Sequence, residues 1–583
     1  MGKPLRWPVP AIFAVVTGVS VAAAELSSYD LSQNGQQVFA TLASIQAAIF
    51  AIVFSVVILG IQLSTSRYSA RLANLFRSDG AYKKTVGVFA SSLAIDIVGL
   101  LAFTHVSPFT LRLLTSLALG LSAASFAVLY FFVDRTLEQT TPEGIIKRVK
   151  QELTPSQIIS DAKAADDDPS ETDPFLVPVS IVRSAIDDRD VPAVTRALNV
   201  IDKQVELLLK SVSSDQVEEE TSVGDSLEEL CTNKLPSTGE KAVDEDLDEA
   251  GSTTVDTLSS IGSSAVEQRH EPVAVHSSQG LGKLISNVNF ETAGEKIRKE
   301  AVEESTEFLT EAAEAKLWDA AGTGTRVLGW RAARSVMQRG PTENFDRPYT
   351  SLVLRYLPGI LKEVVENLPD DLSTEELQKG LIGRDIEHTT PPEQWALWCC
   401  YAAMSEVTSS VIRYELDHGE EIVKWRRAGN GWTKCISTLD NSGFDYLLRL
   451  WLGTLLYIEY ISRETDNQYL SDFHTSARHD VSGDTFNQTV DDILEERFDP
   501  KSRIDLLPGY FDPVETPQTG YQAPPLSDPD RTFEEWLKHQ KKITPNSSRG
   551  WRVSMREVAE EISDEPGKDE DESPENDEEG TES

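Results

Sequence analysis

Four long apolar stretches lie within the first 135 residues, and the rest of the chain is polar. The stretches cover residues 8–24, 38–63, 86–103 and 111–133. A helix needs about 20 mostly apolar residues to cross the hydrocarbon core of a bilayer. The pattern therefore predicts a four-helix transmembrane bundle over residues 1–135, with the remaining chain outside the membrane.

The first stretch is open to a second interpretation. Lys3 and Arg6 precede a short apolar run that ends in Ala22, Ala23 and Ala24. The same order of features is typical of a cleavable signal peptide. We favour a retained helix, and under either interpretation the other three spans keep the same orientation.

Basic residues predict how the bundle is oriented. The loop after the second stretch carries Arg67, Arg71 and Arg77, whereas the loop before it carries only the acidic Glu25 and Asp30. Short loops rich in Lys and Arg stay in the cytoplasm. We therefore expect a multi-pass protein of the plasma membrane whose N-terminus and C-terminal domain are both cytoplasmic.

Polar side chains interrupt two of the predicted spans. Asp96 lies in the third, and Gln46 and Gln62 lie in the second. An aspartate in the middle of a span opposes insertion by roughly 2.5–3.5 kcal/mol. Two hypotheses for Asp96 stay open. It is either a carboxylate that handles ions or protons, or a structural acid hydrogen-bonded to these glutamines or to Ser91 and Ser92.

Small residues recur at every fourth position on two spans. They are Ala43, Ala47, Ala51 and Ser55 on the second, and Ser116, Gly120 and Ala124 on the fourth. Such faces let helix backbones approach closely in lipid. We favour packing within one subunit, and a homo-oligomer interface is the alternative.

The exit of the second span resembles a known family. The segment from Ala43 to Phe76 carries the matching positions Leu63, Ser66, Tyr68, Ser69 and Arg71. It is similar to the domain of unknown function 2254 family of prokaryotic membrane proteins, which usually has proline where Ala70 stands. The resemblance covers about the first 135 residues. It implies a membrane bundle and no assigned activity.

The same segment is a candidate contact with the membrane surface. On a helix, Tyr68 falls on one face, and Arg67 and Arg71 fall on another. An aromatic face beside a basic one is typical of interfacial helices that touch anionic headgroups. Arg77 follows in the same loop. The lipid bilayer is therefore the first partner that we expect.

The chain is strongly acidic. Its formal net charge is -40, from 94 acidic and 54 basic residues. Charge this far from zero keeps a protein soluble but destabilises it by self-repulsion. We therefore expect the protein to work in the salt-rich cytoplasm of an extreme halophile. We expect no binding to nucleic acid. The four cysteines, including the adjacent Cys399 and Cys400, fit a reduced compartment.

Composition divides the chain after residue 135 into four regions. Residues 136–210 have helical periodicity, and residues 211–280 are rich in Ser, Glu, Asp, Gly and Thr, with almost no aromatics. We interpret the second region as an acidic disordered insert. Residues 281–545 form the main helical cytoplasmic domain, and residues 546–583 are an acidic disordered tail.

Two short motifs offer chemistry, and each has a simpler explanation. Residues 320–329 read AAGTGTRVLG but follow a helical run, whereas a phosphate-binding loop follows a strand. A turn between helices is favoured. Residues 474–480 read HTSARHD, and their spacing fits solvated polar residues better than metal ligands.

A third motif is a set of basic residues that could face headgroups or nucleic acid. The basic residues are Arg326, Arg331, Arg334 and those of the KWRR run at residues 424–427, and Trp330 lies among them. Local salt bridges are favoured, because acidic residues surround these positions.

Together these features predict an all-α protein with a transmembrane bundle and a mostly helical cytoplasmic domain. No set of residues supplies a nucleophile, a base and an orienting group together, so we expect no catalytic residue, metal ligand or cofactor. The function that we expect is a non-enzymatic membrane-anchored scaffold or sensor that binds a cytoplasmic protein partner. The alternative is a homo-oligomeric ion channel or transporter, lined by the second span, to which Asp96 contributes.

Overall fold

All regular secondary structure in the described part of the chain is helical. The predicted all-α class is confirmed for these residues. The computed structural model describes residues 31–67, 80–102, 105–165, 173–213, 221–288, 292–337, 348–369, 391–418, 423, 425–464, 481–497, 500 and 532–543.

The chain forms two compact units, Met1–Phe308 and Leu309–Ser583. The helices of the first unit are α1 (Leu31–Arg67), α2 (Gly80–Ala102), α3 (Pro108–Thr140), α4 (Pro142–Glu152), α5 (Pro155–Ala165), α6 (Leu176–Asp187), α7 (Val191–Ser211), α8 (Thr221–Glu229), α9 (Leu235–Asp244), α10 (Asp248–Glu267) and α11 (Glu271–Asn287). A short π-helix, Leu230–Lys234, joins α8 to α9. Helix α12 (Thr292–Glu314) contains the boundary between the units.

The second unit continues with helices of similar length. They are α13 (Trp318–Met337), α14 (Pro348–Asn367), α15 (Pro392–His418), α16 (Trp425–Asn441), α17 (Asp445–Glu464), α18 (Gly483–Leu494) and α19 (Phe533–Ile543).

Two described helices are long and apolar enough to cross a membrane. These segments are Thr85–Ala102 in α2 and Pro108–Val133 in α3. The second predicted span, residues 38–63, is helical within α1, but the apolar segment described there is the shorter Gln36–Ile52. The first, residues 8–24, lies outside the described residues. The structure thus supports two of the four spans, and the four-helix bundle stays a prediction.

The small residues of the two spans have different surroundings. On α3, Gly120 and Ala124 are buried, as packing within one subunit requires. On α1, Ala47, Ala51 and Ser55 are exposed among the described residues. Of the two faces of small residues, only the one on α3 therefore packs within the described bundle.

The region predicted to be a disordered insert is folded. Residues 221–288 form α8 to α11, and Val255, Leu258 and Ile261 on α10 are fully buried. The prediction was wrong because small residues here let the helices pack closely. A buried core therefore forms without large aromatic side chains. A Cβ at Gly280 would clash with the backbone oxygen of Cys231, for example. The boundary predicted at residue 280 lies inside α11.

One type of turn joins many of these helices. In the described residues, five non-glycine residues have φ between 56° and 61°: Arg189, Asp246, Arg269, Lys316 and Glu496. In each turn the next backbone N–H donates to the carbonyl five residues before it, as in His270 to Ala265 at 2.8 Å. This is the Schellman motif, which ends a helix sharply. After the first four of these turns, the next helix starts two residues beyond the residue with positive φ.

In the second unit, α13 and α15 approach closely through glycines. A Cβ at Gly322 would lie 2.8 Å from Ala396 Cα, and one at Gly329 would lie 2.5 Å from Ala403 Cα. The AAGTGTRVLG motif is therefore the interior of α13, and the predicted turn between helices was wrong. Its glycines allow α13 to lie close to α15, and the motif forms no phosphate-binding loop.

Candidate functional site

The inner face of α2 carries three buried polar residues, two of which lie between apolar ones. Its buried positions are Thr85, Phe89, Ser92, Asp96 and Gly99. Steps of three and four residues place them along one face of the helix. Helix α2 packs against both α1 and α3, so this face lies inside the three-helix packing.

Two aromatic contacts fix the register of α1 against α2. The Phe39 ring packs against Gly99, where a Cβ would clash with it. Further along, the Phe50 and Phe89 ring centroids lie 5.0 Å apart. The helices are thus antiparallel, and Gln46, between the two phenylalanines of α1, lies at about the level of Ser92.

Gln46 is held by a hydroxyl of the third helix. Its Nε2 donates to Ser122 Oγ on α3, and the residue is 1% exposed. Because the amide N–H donates to Ser122, the carbonyl oxygen Oε1 is available to accept a hydrogen bond inside the bundle. Among the described residues, that oxygen has no hydrogen-bond partner.

Asp96 is fully enclosed and has no partner within the described part of the chain. It is 0% exposed, and neither carboxylate oxygen accepts a hydrogen bond there. The Ser92 hydroxyl, one turn away on the same face, is also buried and unbonded. Neighbouring hydroxyls behave differently, since Ser91 donates to Gly87 O and Ser125 donates to Leu121 O, both at 2.8 Å.

We refer to Gln46, Ser92, Asp96 and Ser122 as the polar layer. Apolar contacts lie on both sides of Gln46 along α1: the cluster of Phe39, Leu111 and Ala118 on one side, and the Phe50–Phe89 ring pair on the other. Within the described residues, the layer contributes four buried oxygen atoms without a hydrogen-bond partner: two of Asp96, one of Gln46 and one of Ser92.

The structure brings together some predicted residues and leaves others out. Asp96 and Gln46 both belong to the polar layer, whereas the Gln62 side chain lies outside the described residues. The hydrogen-bonded structural acid is not what the described residues show, because Asp96 bonds to neither Ser91 nor Ser92. Ser122 was not predicted; its only signal is a hydroxyl within an apolar span.

The side chains of the predicted membrane-surface residues lie outside the described part of the chain. Tyr68, Arg71 and Arg77 lie outside the described residues, as does the side chain of Arg67, the last residue of α1. Contact of this segment with headgroups stays a prediction.

Helix α3 continues almost directly into the next helix of the first unit. Helix α3 ends at Thr140, and α4 begins at Pro142, with Thr141 capping its first turn by accepting from the Gly144 backbone N–H. Helix α4 packs against α6 and α7 through buried Ile145 and Val149. Helices α3, α4, α6 and α7 therefore form a continuous series of packed helices.

The basic residues of α13 have local aromatic partners. The Arg326 guanidinium lies 5.5 Å from the Trp395 ring centroid, and those of Arg331 and Arg334 lie 4.5 and 5.5 Å from that of Trp330. Cation–π contacts are thus among the interactions of these residues, and the favoured local salt bridges stay a prediction. The side chains of residues 424–427 and the HTSARHD segment lie outside the described residues.

One carboxyl of the second unit is perturbed. Burial raises the pKa of Glu406 on α15 to about 7, and the nearby Arg326 guanidinium acts against that rise. Its Oε2 has no hydrogen-bond partner in the described part of the unit. The folded state therefore binds a proton at Glu406 more tightly than the unfolded chain, whose ordinary pKa is 4.5.

We expect Glu406→Gln to flatten the pH dependence of stability of the second unit. Because the folded pKa is the higher one, the wild-type chain loses stability as pH rises from about 4.5 to 7. Between pH about 5.5 and 8 the loss from this group is about 2 kcal/mol. Denaturant unfolding at both pH values measures it. Equal pH dependence in wild type and variant would contradict the prediction.

Comparison with known proteins agrees with the resemblance found in the sequence. The family model of DUF2254, described as a predicted membrane protein, matches residues 6–185. No curated protein and no solved structure matches the chain. The match extends beyond α3 to residue 185 within α6, so it also covers α4 and α5. Residues 6–185 are thus similar to the DUF2254 family of predicted membrane proteins.

Proposed function

We propose that the protein is a non-enzymatic sensor or scaffold. A multi-pass bundle anchors it in the plasma membrane, with the N-terminus and the C-terminal helices in the cytoplasm, where those helices bind a protein partner. The state of the membrane helices sets the arrangement of the cytoplasmic ones.

The connection between α3 and α4 carries this proposal. A single capping residue, Thr141, separates the two helices. Ile145 and Val149 of α4 are 2% and 5% exposed, and Glu143 forms an ion pair with Arg196 of α7. Rigid, packed connections of this kind transmit displacement, whereas a flexible linker absorbs it.

The position of Asp96 favours this function over the channel. A homo-oligomeric channel lined by the second span needs polar residues on a face shared between subunits. Gln46 and Asp96 are instead enclosed within one subunit, and the exposed face of α1 presents Ala47, Ala51 and Ile52. The geometry therefore supports a site inside the bundle better than a pathway between copies.

The acidic surface sets the conditions for any test. We propose that the charge of -40 is an adaptation to a salt-rich cytoplasm, where ions screen the self-repulsion. The protein is therefore best handled in molar salt.

Hydrogen exchange of the full chain in vesicles tests the coupling. We expect a change from short-chain to long-chain phosphatidylcholine to alter exchange in α4, α6 and α7, because a mismatched bilayer tilts the spans. The variant Ile145→Ala/Val149→Ala should lose this response, since it removes the buried contacts of α4. The matched control, Lys147→Ala/Lys150→Ala, changes the exposed face of the same helix and should keep it.

Two results would overturn the sensor proposal. One is exchange in α6 and α7 that is indifferent to the bilayer in the wild-type chain. The other is a response that persists unchanged when the buried face of α4 is removed.

A further inference from the structure

We propose that the polar layer is a binding site for one small monovalent cation, with the Asp96 carboxylate, Gln46 Oε1 and the Ser92 hydroxyl oxygen as ligands. The inference rests on the packing of α1, α2 and α3. It stands whether or not the cytoplasmic helices bind a partner.

The charge of Asp96 is not balanced by the three helices themselves. Their basic residues lie toward the helix ends, at Arg67, Lys83, Lys84, Arg112 and Arg135, and Arg112 is exposed. An unpaired buried carboxylate costs several kcal/mol. A single positive charge supplied from outside the chain removes that cost.

The chemistry of the enclosure selects the kind of ion. Carboxylate, amide carbonyl and hydroxyl oxygens are hard ligands, which suit alkali and alkaline-earth cations and not soft transition metals. One carboxylate neutralises one unit of charge. A divalent ion would leave excess positive charge among apolar side chains, so a monovalent cation of the size of Na⁺ or K⁺ fits better.

The orientation of the side chains supports coordination. Ser122 occupies the Gln46 amide N–H and so directs the carbonyl oxygen toward the interior. Ser91 and Ser125 each donate a hydrogen bond to a carbonyl of the preceding helical turn, whereas the Ser92 hydroxyl has no hydrogen-bond partner within the described residues. Asp96 is 0% exposed and apolar side chains flank the layer, and an apolar surrounding strengthens the attraction between a cation and a carboxylate.

Hydrogen exchange of α2 in the detergent-solubilised full chain tests the site. Choline chloride is replaced by NaCl or KCl at constant molar ionic strength, so that surface screening does not change. We expect exchange in α2 to slow several-fold, with saturation, when Na⁺ or K⁺ is added. Asp96→Asn should abolish this response. Ser125→Ala, which changes a buried hydroxyl on α3 that is already bonded, should keep it.

The competing outcomes are distinct. A response to acidic pH but not to either cation, after correction for intrinsic exchange, shows a protonated carboxyl and overturns the proposal. Indifference to both also overturns it. If Asp96→Asn fails to fold, Ser92→Ala replaces it, and the cation concentration for half-saturation should then rise at least several-fold; an unchanged value contradicts the site. A failure here leaves the bilayer response of α6 and α7 untouched, so the two proposals are separable.

Discussion

Gly329→Ala is expected to destabilise the second unit by about 3 kcal/mol. The added Cβ would lie 2.5 Å from Ala403 Cα, so it meets the backbone of α15 and not a movable side chain. The helices must separate to make room, and their other contacts weaken. Tryptophan fluorescence during denaturant unfolding reports on this unit, because nine of the ten tryptophans lie at or beyond Trp318.

Gly359→Ala is the matched control for this substitution. Gly359 lies inside α14, and a Cβ there has no atom within 4 Å. Alanine is the better helix former by about 1 kcal/mol, so we expect this variant to be neutral or slightly more stable. If both alanine variants unfold at the same denaturant concentration, α13 and α15 are not in contact at Gly329.

Arg298→Met is expected to cost the first unit about 3–5 kcal/mol. Arg298 on α12 is 0% exposed; its Nε donates to Ile285 O at 3.0 Å, and an Nη donates to Val288 O. Both carbonyls belong to the C-terminal end of α11, where a helix leaves acceptors unsatisfied. Methionine fills part of the volume but donates nothing. Hydrogen exchange of peptides from α11 and α12 measures the loss locally.

Lys299→Met controls for the change of charge and helix surface. The Lys299 side chain is 49% exposed and reaches Glu303 at 4.0 Å, so its replacement should change stability by no more than about 0.5 kcal/mol. Equal effects at both positions would show that the Arg298 guanidinium does not close the end of α11.

The sequence predicted the helical class and the spans of α2 and α3 because apolar runs and helical periodicity are local properties. It failed over residues 221–280, which form helices, because composition was used there in place of pattern. The information was present as repeated segments at the helix ends. Ala242-Val243-Asp244 and Ala265-Val266-Glu267 both precede a residue with left-handed φ. Each repeat is identified as a turn by its backbone hydrogen bonds, from Leu247 N–H to Ala242 O and from His270 N–H to Ala265 O.

The sequence by itself determined that a carboxylate, Asp96, lies in the middle of an apolar span, since that follows from the order of residues alone. Only the tertiary structure decided what surrounds it. The level of Gln46 against Ser92, the bond to Ser122 and the closing phenylalanines all depend on the register of three helices. That register is set by side-chain packing between segments far apart in the chain, which spacing along a single helix does not encode.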